Sequence, residues 1–381
     1  MTEFGKALTV TETPIPGLLV VDLPVHGDSR GWFKENWQRE KMVAAGLPDF
    51  GPVQNNISFN DAVGTTRGIH AEPWDKWVSV ATGRIFGAWV DLRAGDTFGT
   101  VFTTEIDPSR AILVPRGVGN SYQTLEADTA YTYLVNDHWS PDAEYSFLNL
   151  ADETAAVEWP IPLADVEISA KDLAHPRLAD VTPIGPKKIL VLGGAGQLGL
   201  ALREALGDAE HVEYTTRETL DLRADDLPIA RRWRDYRAII NAAAYTAVDL
   251  AETDEGRGDA WASNVTGVTA LARVAAENGI TLVHVSSDYV FDGTKAGGVY
   301  NVTGAGEPRS WADIARDVYR LTGHDPSGVT DVTTTEYFAG QAGPVAPRPL
   351  NSVLDLSRIQ ATGWTPRDAR DALEAYLAAS S

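Results

Sequence analysis

A strand, a glycine-rich loop and a helix can be read at residues 187–206, KKILVLGGAGQLGLALREAL, in the middle of a chain of 381 residues. Such a unit normally opens a parallel α/β fold, because its strand lies at the sheet centre and its helix N-terminus offers a phosphate site. About half of the chain precedes it and has to form a domain of its own. The sequence therefore predicts two fused domains, residues 1–182 and 187–381, joined by a linker at 183–186.

The composition predicts a globular protein, with 44% hydrophobic and 22% charged residues. No apolar run approaches bilayer-spanning length and the start MTEFGKALTV does not resemble a signal peptide, so we expect a cytoplasmic protein. The chain contains no cysteine, which excludes disulfides and thiolate metal sites. A net charge of −21 repels nucleic acid and anionic membranes, so neither is an expected partner.

The two halves differ in their patterning. Residues 18–146 contain short alternating stretches broken by turn signals, which predicts an all-β sandwich or small barrel. Its clearest expected feature is a hairpin of KWVSV and IFGAWVDL around Gly83. After residue 187, apolar strands such as ILVLG, AIINAAA and TLVHVSS alternate with helical patterns, which predicts a doubly wound parallel sheet.

Four sequence segments in the first half resemble those of a known protein family. They are DSRGWFKENW at 28–37, VGTTRGIHAEPWDKWVSV at 63–80, TAYTYLVNDHW at 129–139 and ISAKDLAHP at 168–176. Together they resemble the dTDP-4-dehydrorhamnose 3,5-epimerase family over nearly all of residues 8–182. The resemblance implies a cupin-type jelly roll, a homodimer formed through it, a dTDP-4-keto-6-deoxy sugar as substrate, and catalysis without cofactor or metal.

The expected chemistry is acid–base catalysis. A hydrogen next to a ketone can be removed by a base if the enolate is stabilised, and a neutral histidine suits that task. The resemblance makes His70 the base, Asp172 its carboxylate partner, Tyr133 the acid and Lys76 the charge near the oxyanion. Without the family pattern, a histidine such as His70 is more often a core or surface residue with no catalytic role. A tyrosine such as Tyr133 is more often a wall aromatic, and an aspartate such as Asp172 a turn residue or helix cap.

Substrate contacts are expected from polar residues around these words. The predicted set is Arg30, Phe33, Glu35, Gln54, Asn56, Arg67, Arg116 and Asn120. Two of the sequence features depart from the family pattern: Asn120 stands where a second histidine is common, and Trp139 where a second tyrosine is common. Because asparagine carries no charge, the sequence predicts greater reliance on Lys76 and Arg116.

The second half contains the spacing GxxGxxG at Gly193, Gly196 and Gly199. These glycines allow a tight turn, close approach to a pyrophosphate and close helix–strand packing, although a glycine turn that binds nothing is the alternative. Words at 241–252, 284–294, 299–319 and 348–355 resemble dTDP-4-dehydrorhamnose reductase. This resemblance implies a Rossmann-like domain that holds NADP(H) or NAD(H) through Gly193, Gly196, Gln197, Leu198, Gly199, Arg217, Asp221, Ala244, Tyr245 and Thr246. It also implies a catalytic Ser287 and a substrate contact at Asp288.

One expected element of a reductase is missing from the sequence. Such enzymes use a tyrosine and a lysine four residues later, on one helix face, and no YxxxK occurs in this chain. The stretch FDGTKAGGVYNVTG instead follows the serine-bearing strand almost directly, which predicts a truncated domain. Three hypotheses remain: an active epimerase fused to a reductase-like domain of doubtful activity, a non-catalytic sugar-nucleotide or NADP(H)-binding scaffold, and a bifunctional enzyme from whose sequence a segment is missing.

Overall fold

The computed structural model describes residues 4–141, 143–207, 209–287, 302–341 and 343–380. The chain divides into two compact units, residues 1–188 and 189–381. Within the described ranges, no helix has both the length and the apolar character needed to cross a membrane.

The first unit consists mainly of antiparallel strands, which confirms the all-β prediction. Its strands are β1 Thr9–Glu12, β2 Leu19–Asp22, β3 Val25–Asp28, β4 Gly31–Lys34, β5 Gln54–Asn60, β6 Thr66–Ala71, β7 Lys76–Thr82, β8 Ile85–Asp91, β9 Val101–Ile106, β10 Arg110–Val114, β11 Val118–Thr124, β12 Thr129–Val135 and β13 Ser146–Phe147. Two short helices accompany them, α1 Arg39–Ala44 and α2 Ala170–Leu173.

Two larger sheets form this unit. One has six strands in the order β1-β2-β10-β7-β12-β5, and the other has five in the order β13-β6-β11-β8-β9. Their apolar side chains form a common core that includes Val78 and Ile112 from the first sheet and Trp89 from the second, all completely buried. Consecutive side chains on a strand point to opposite faces, so this alternation supplies the apolar inner faces.

The predicted hairpin around Gly83 is wrong in its pairing. The strands β7 and β8 form where the pattern placed them, and Gly83 has the expected positive φ of 83°. However, β7 pairs with β10 and β12 in one sheet, whereas β8 pairs with β9 and β11 in the other. Gly83 is therefore a corner between sheets, where a Cβ would lie 2.2 Å from Thr129 Oγ1. Burial of both strands favours their separation into two layers over a local hairpin.

Residues 183–186, predicted as a linker, are held against the first unit. Ile184 is buried with Leu92 and Leu178 in an apolar cluster, and its backbone N–H donates to the Leu92 carbonyl at 2.8 Å. Ile184 also forms an isolated β-bridge with Arg93. The prolines and absence of periodicity in HPRLADVTPIGP hid this contact, because single apolar anchors in irregular chain leave no periodic signal.

The second unit contains a four-stranded sheet and most of the helices. Its strands are β14 Lys188–Leu192, β15 Val212–Thr215, β16 Tyr236–Asn241 and β17 Thr281–His284. Its helices are α3 Gln197–Leu206, α4 Asp254–Trp261, α5 Val268–Asn278, α6 Trp311–Leu321, α7 Thr334–Phe338, α8 Ser357–Gln360 and α9 Ala369–Ser380, with a π-helical turn, Ala262–Gly267, between α4 and α5.

The strand order of this sheet is β15-β14-β16-β17. The pairs β14/β15 and β16/β17 are parallel, and β14, the first strand in sequence, lies in the sheet interior. Leu190 and Ile239 of the sheet pack with Leu271 and Val274 of α5 in one buried cluster. Parallel strands covered by helices give the continuous apolar stretches seen in the sequence.

Candidate functional site

Two adjoining cavities open into the first unit and share the side chains of His70, Glu72 and Tyr133. The smaller, of about 190 Å³, is also lined by Ser58, Arg67, Lys76, Asn120, Tyr122 and Tyr131. The larger, of about 530 Å³, is also lined by Gln54, Asn56, Trp74, Val135, Trp139, Pro141, Tyr145, Phe147, Lys171 and Asp172. Strands of both sheets contribute to these walls, so the site forms only when the two sheets face each other.

His70, on β6, is paired with a buried carboxylate. Its Nε2 lies 2.9 Å from Asp172 Oδ1. Asp172 is fixed in turn by the backbone N–H of Gly68, which donates to Oδ2 at 3.3 Å, and by the cap of α2, where Ser169 Oγ accepts from the Asp172 backbone N–H. Because Asp172 holds Nε2, the ring nitrogen left for a substrate is Nδ1.

Tyr133, on β12, faces the same cavities as His70. Burial, reinforced by the nearby Glu72 carboxylate and the Tyr122 phenol, raises the pKa of Tyr133 above its ordinary value of 10. The Lys76 ammonium lies 5.7 Å from the centre of the Tyr133 ring and forms a buried ion pair with Glu72. The site therefore combines a phenol that stays protonated at neutral pH with a fixed positive charge.

Asn120 occupies the wall beside His70, because β11 pairs with β6 and places the two residues opposite each other. Its side-chain oxygen accepts from Trp89 Nε1 at 3.0 Å, and its amide nitrogen donates to Tyr131 Oη at 3.0 Å. Both the oxygen and the nitrogen of this amide are therefore hydrogen-bonded to other side chains of the protein. Three other expected contacts also line the cavities: Arg67 on β6, and Gln54 and Asn56 on β5 of the other sheet.

Four predicted substrate contacts do not line these cavities. Arg30 and Phe33 lie on the exposed hairpin of β3 and β4, where Arg30 pairs with Asp28 and 65% of Phe33 is exposed. Glu35 follows this hairpin and pairs with Lys41. Arg116 donates from its guanidinium to the Gly185 carbonyl at 2.7 Å. The expectation that these four residues line the site with His70 is therefore not met in this chain.

Among the residues near the site that the sequence analysis did not identify are Glu72 and His175. Glu72 lies two positions after His70 and faces the same cavities, so extending the alternation of β6 would have found it. His175 is buried, with its Nε2 3.7 Å from Asp172 Oδ1. Burial, followed by the charge on His70, lowers the pKa of His175. It follows the end of the four-residue helix α2, where no simple periodicity predicts a side-chain direction.

The glycine motif of the second unit lines a separate cavity of about 680 Å³. Gly193 has a φ of 76°, and a Cβ there would lie 2.8 Å from the Ala243 backbone nitrogen. Gly196 caps the N-terminus of α3, and a Cβ at Gly199 would lie 2.2 Å from the Gly193 carbonyl oxygen. The predicted residues Gly193, Gly196, Gln197, Leu198, Arg217, Asp221, Ala244, Tyr245 and Thr246 line the cavity, whereas Gly199 packs behind it.

At this cavity, Asp221 forms an ion pair with an arginine that the sequence analysis did not identify. Arg223 donates to both Asp221 oxygens, and this pairing lowers the pKa of Asp221 to about 2. Arg217 lies 3.6 Å from the same carboxylate and is largely exposed. Ser287 is exposed and does not line the cavity. Asp288 lies outside the described residues.

Comparison with known proteins assigns the first unit. The family model of dTDP-4-dehydrorhamnose 3,5-epimerase matches residues 12–180. The "Protein RmlC homolog" of Streptococcus pyogenes is 50% identical over 199 residues, which cover 50% of this chain and all of that protein. RmlC from Streptococcus suis, solved in complex with dTDP-D-xylose, is 49% identical, covering 48% of this chain and 98% of that one, with a TM-score of 0.46.

The second unit matches a different family. The model of the RmlD substrate binding domain covers residues 187–308. The dTDP-4-dehydrorhamnose reductase of Aggregatibacter actinomycetemcomitans is 40% identical over 114 residues, which are 29% of this chain and only 38% of that enzyme. The chain thus spans less than half of this reductase. Through its first unit the chain belongs to the dTDP-4-dehydrorhamnose 3,5-epimerase family, and an RmlD-type domain follows in the same polypeptide.

Proposed function

We propose that the first unit epimerises a dTDP-4-keto-6-deoxy sugar at the carbons next to its ketone, as a step of dTDP-L-rhamnose biosynthesis. The observation that carries this proposal is the presence of the His70–Asp172 pair and the protonated Tyr133 around the same cavities. A protein that only binds or senses the sugar has no need for both a base and an acid. This favours the enzyme over the scaffold hypothesis for the first unit.

In the proposed reaction, Nδ1 of neutral His70 removes the hydrogen on carbon 3 and the electron pair moves to the ketone oxygen. Asp172 keeps the required tautomer and stabilises the imidazolium that forms. Lys76, which lines the smaller cavity, is proposed to stabilise the enolate oxygen. Tyr133 then donates its proton to carbon 3 from the opposite face, which inverts the stereocentre. The same pair is proposed to act at carbon 5.

The proposal is tested by incubating the protein with dTDP-4-keto-6-deoxyglucose in deuterated water and following the carbon-3 hydrogen by NMR. We expect this signal to disappear as the product incorporates deuterium. Persistence of the signal at the rate of a protein-free sample would reject the epimerase function.

Replacing Glu72 with glutamine is expected to move the alkaline limb of the pH profile to lower pH. Glu72 helps to raise the Tyr133 pKa, and the acid works only while it is protonated. The alkaline decline of the inversion rate should begin at a lower pH in E72Q than in the wild type. The pH profile of kcat/KM checks this, with the exposed Glu40→Gln as control. An unchanged limb in E72Q would contradict the role of Glu72.

We propose that the second unit is a Rossmann-like domain that binds NADP(H) or NAD(H). Support comes from the cavity at the N-terminus of α3, since free backbone N–H groups and the helix dipole favour a pyrophosphate there. Arg217, exposed beside Asp221, is the group that could favour the 2′-phosphate of NADP(H). The lack of YxxxK leads us to expect binding without hydride transfer.

Titration of the protein with NADPH and with NADH, followed by nucleotide fluorescence, tests this binding. We expect saturable binding in the wild type and its loss in Gly199→Val, because no side chain fits against the Gly193 carbonyl. Gly258→Val, in the same unit, controls for a general effect of valine, because a Cβ there meets nothing within 4 Å and its backbone has no positive φ. Equal binding by G199V and the wild type would contradict the assignment.

NADPH oxidation in the presence of the keto-sugar distinguishes the remaining hypotheses for this unit. No turnover is expected from the sequence as it stands. Turnover would show that the reductase half works without YxxxK. A measured mass of the natural protein above 41.1 kDa would instead favour a bifunctional enzyme with a missing segment.

We propose that the first unit forms a homodimer through the edge strand β5. Among the described strands β5 pairs with β12 alone, and it exposes 68% of Ile57 and 56% of Phe59 on one face. In a dimer, the exposed β3–β4 hairpin of one copy is available to the cavity of the other, which is how we propose that Arg30, Phe33 and Glu35 contact substrate.

Light scattering tests the dimer. The wild type should have twice the 41.1 kDa mass of one chain, and Phe59→Glu should shift it towards the monomer because it places a charge on the proposed apolar interface. Val302→Glu, an exposed apolar position in the second unit, serves as the control. A monomeric wild type would reject the proposal.

A further inference from the structure

Three side chains of the first unit converge around one carboxylate oxygen. His70 Nε2 lies 2.9 Å from Asp172 Oδ1, and His175 Nε2 lies 3.7 Å from the same atom. One ligand atom from each of the three residues lies within 4.8 Å of the other two. Two imidazoles and one carboxylate form a donor set that suits Zn²⁺ and similar divalent transition metals.

The spacing of these atoms matches what such an ion requires. Zinc–ligand bonds of about 2.0–2.2 Å in a tetrahedron place neighbouring ligand atoms roughly 3.3 Å apart. The two distances to Asp172 Oδ1 bracket this value. Both contacts to Asp172 Oδ1 thus lie within about 0.5 Å of the spacing that zinc requires. The cavity on the open side of His70 leaves room for a water as a further ligand.

His175 is the second observation that points to a ligand. Its side chain is more than nine-tenths buried, yet neither ring nitrogen has a partner at hydrogen-bond geometry. Stacking on Phe147, at 4.7 Å between ring centroids, fixes the ring beside Asp172. Buried polar atoms without a partner are rare and require an explanation.

We propose that His70, Asp172 and His175 bind a divalent transition-metal ion, with Zn²⁺ as the probe, and that the bound ion blocks the base. A neutral imidazole carries one N–H. When Asp172 accepts from Nε2–H, Nδ1 has the lone pair that removes the substrate hydrogen. When the metal occupies Nε2, the remaining ring proton lies on Nδ1, which can no longer accept one. As the metal binds, the Nε2 proton leaves to solvent and Nδ1 takes up a proton from solvent, so the ring stays neutral with its single N–H on Nδ1. No oxidation or reduction is involved.

Calorimetric titration of EDTA-treated protein with Zn²⁺ tests the site without any sugar nucleotide. We expect one tight site per chain in the wild type and in His26→Gln, an exposed histidine elsewhere in the same unit. Zn²⁺ affinity should fall at least about tenfold in His175→Gln, which loses one ligand. Equal affinity in His175→Gln, or the absence of a one-to-one site in the wild type, would overturn the proposal.

The inhibition rests on the proposed epimerase function and is measured separately. Zn²⁺ should suppress carbon-3 exchange in the wild type, and EDTA should restore it. In His175→Gln, the same Zn²⁺ concentration should leave exchange at that variant's own Zn²⁺-free rate, whatever that rate is. If Zn²⁺ binds tightly but does not slow carbon-3 exchange, the metal site stands and the proposed block of the His70 base is wrong. If His175→Gln does not fold, X-ray absorption of the wild-type Zn²⁺ complex decides, because two imidazole ligands are expected and fewer would overturn the site.

Discussion

Replacing His70 with alanine is expected to slow exchange of the carbon-3 hydrogen by about 10²- to 10⁴-fold, which is the contribution of a positioned general base. Among the described residues, His70 is the only histidine that lines the two cavities, and its imidazole contacts the buried Asp172 carboxylate. The measurement is the first-order rate of deuterium incorporation from solvent, at saturating dTDP-4-keto-6-deoxyglucose and neutral pH.

Two further variants make the His70 result specific. His324→Ala removes an exposed imidazole in the second unit and should exchange at the wild-type rate. Asp172→Asn keeps the side-chain volume but no longer offers a carboxylate to hold the imidazole, so its exchange should also decline. Wild-type exchange in H70A would remove His70 from the mechanism.

Replacing Tyr133 with phenylalanine is expected to uncouple exchange from inversion. The base on the other face remains, so solvent deuterium should still enter at carbon 3. Without the phenolic proton, the enolate is reprotonated from the His70 side, and inversion should slow by about 10²- to 10⁴-fold. Proton coupling constants of the recovered sugar distinguish retained from inverted carbon 3, while deuterium content reports exchange in the same sample.

Tyr145→Phe is the matched control for this variant. Tyr145 also lines the larger cavity, but its hydroxyl donates to the Ser140 carbonyl at 3.1 Å. We expect Tyr145→Phe to keep inversion coupled to exchange, because the Tyr145 hydroxyl is engaged by the Ser140 carbonyl and transfers no proton in the proposed mechanism. Inversion at the wild-type rate in Y133F would assign the acid to another group.

The sequence predicted the classes of both units because those depend on local patterns. Alternating strands gave the β sandwich, and ILVLG followed by a glycine loop gave the strand β14 and helix α3. The sequence did not predict correctly which strands pair with each other. Gly83 was correctly expected to adopt a positive φ, but a glycine turn and a corner between two sheets have the same local signature.

Site residues that are far apart in sequence could be predicted only from the motifs shared with the family. His70 and Asp172 are separated by 102 positions, and no periodicity predicts their contact. Arg30 was expected at the site because its word accompanies RGIH, yet within one subunit it lies on an exposed hairpin. His175 was missed because its partners come from tertiary packing on Phe147 and Asp172.

The central claim is that an imidazole and a phenol act on opposite faces of one sugar ring. A crystal structure of the protein with a bound dTDP-hexose tests it most directly. The account predicts that His70 Nδ1 and Tyr133 Oη each lie within about 3.5 Å of the reacting carbon, on opposite sides of the pyranose. A sugar bound away from these groups, or with both groups on one side of its ring, would contradict it.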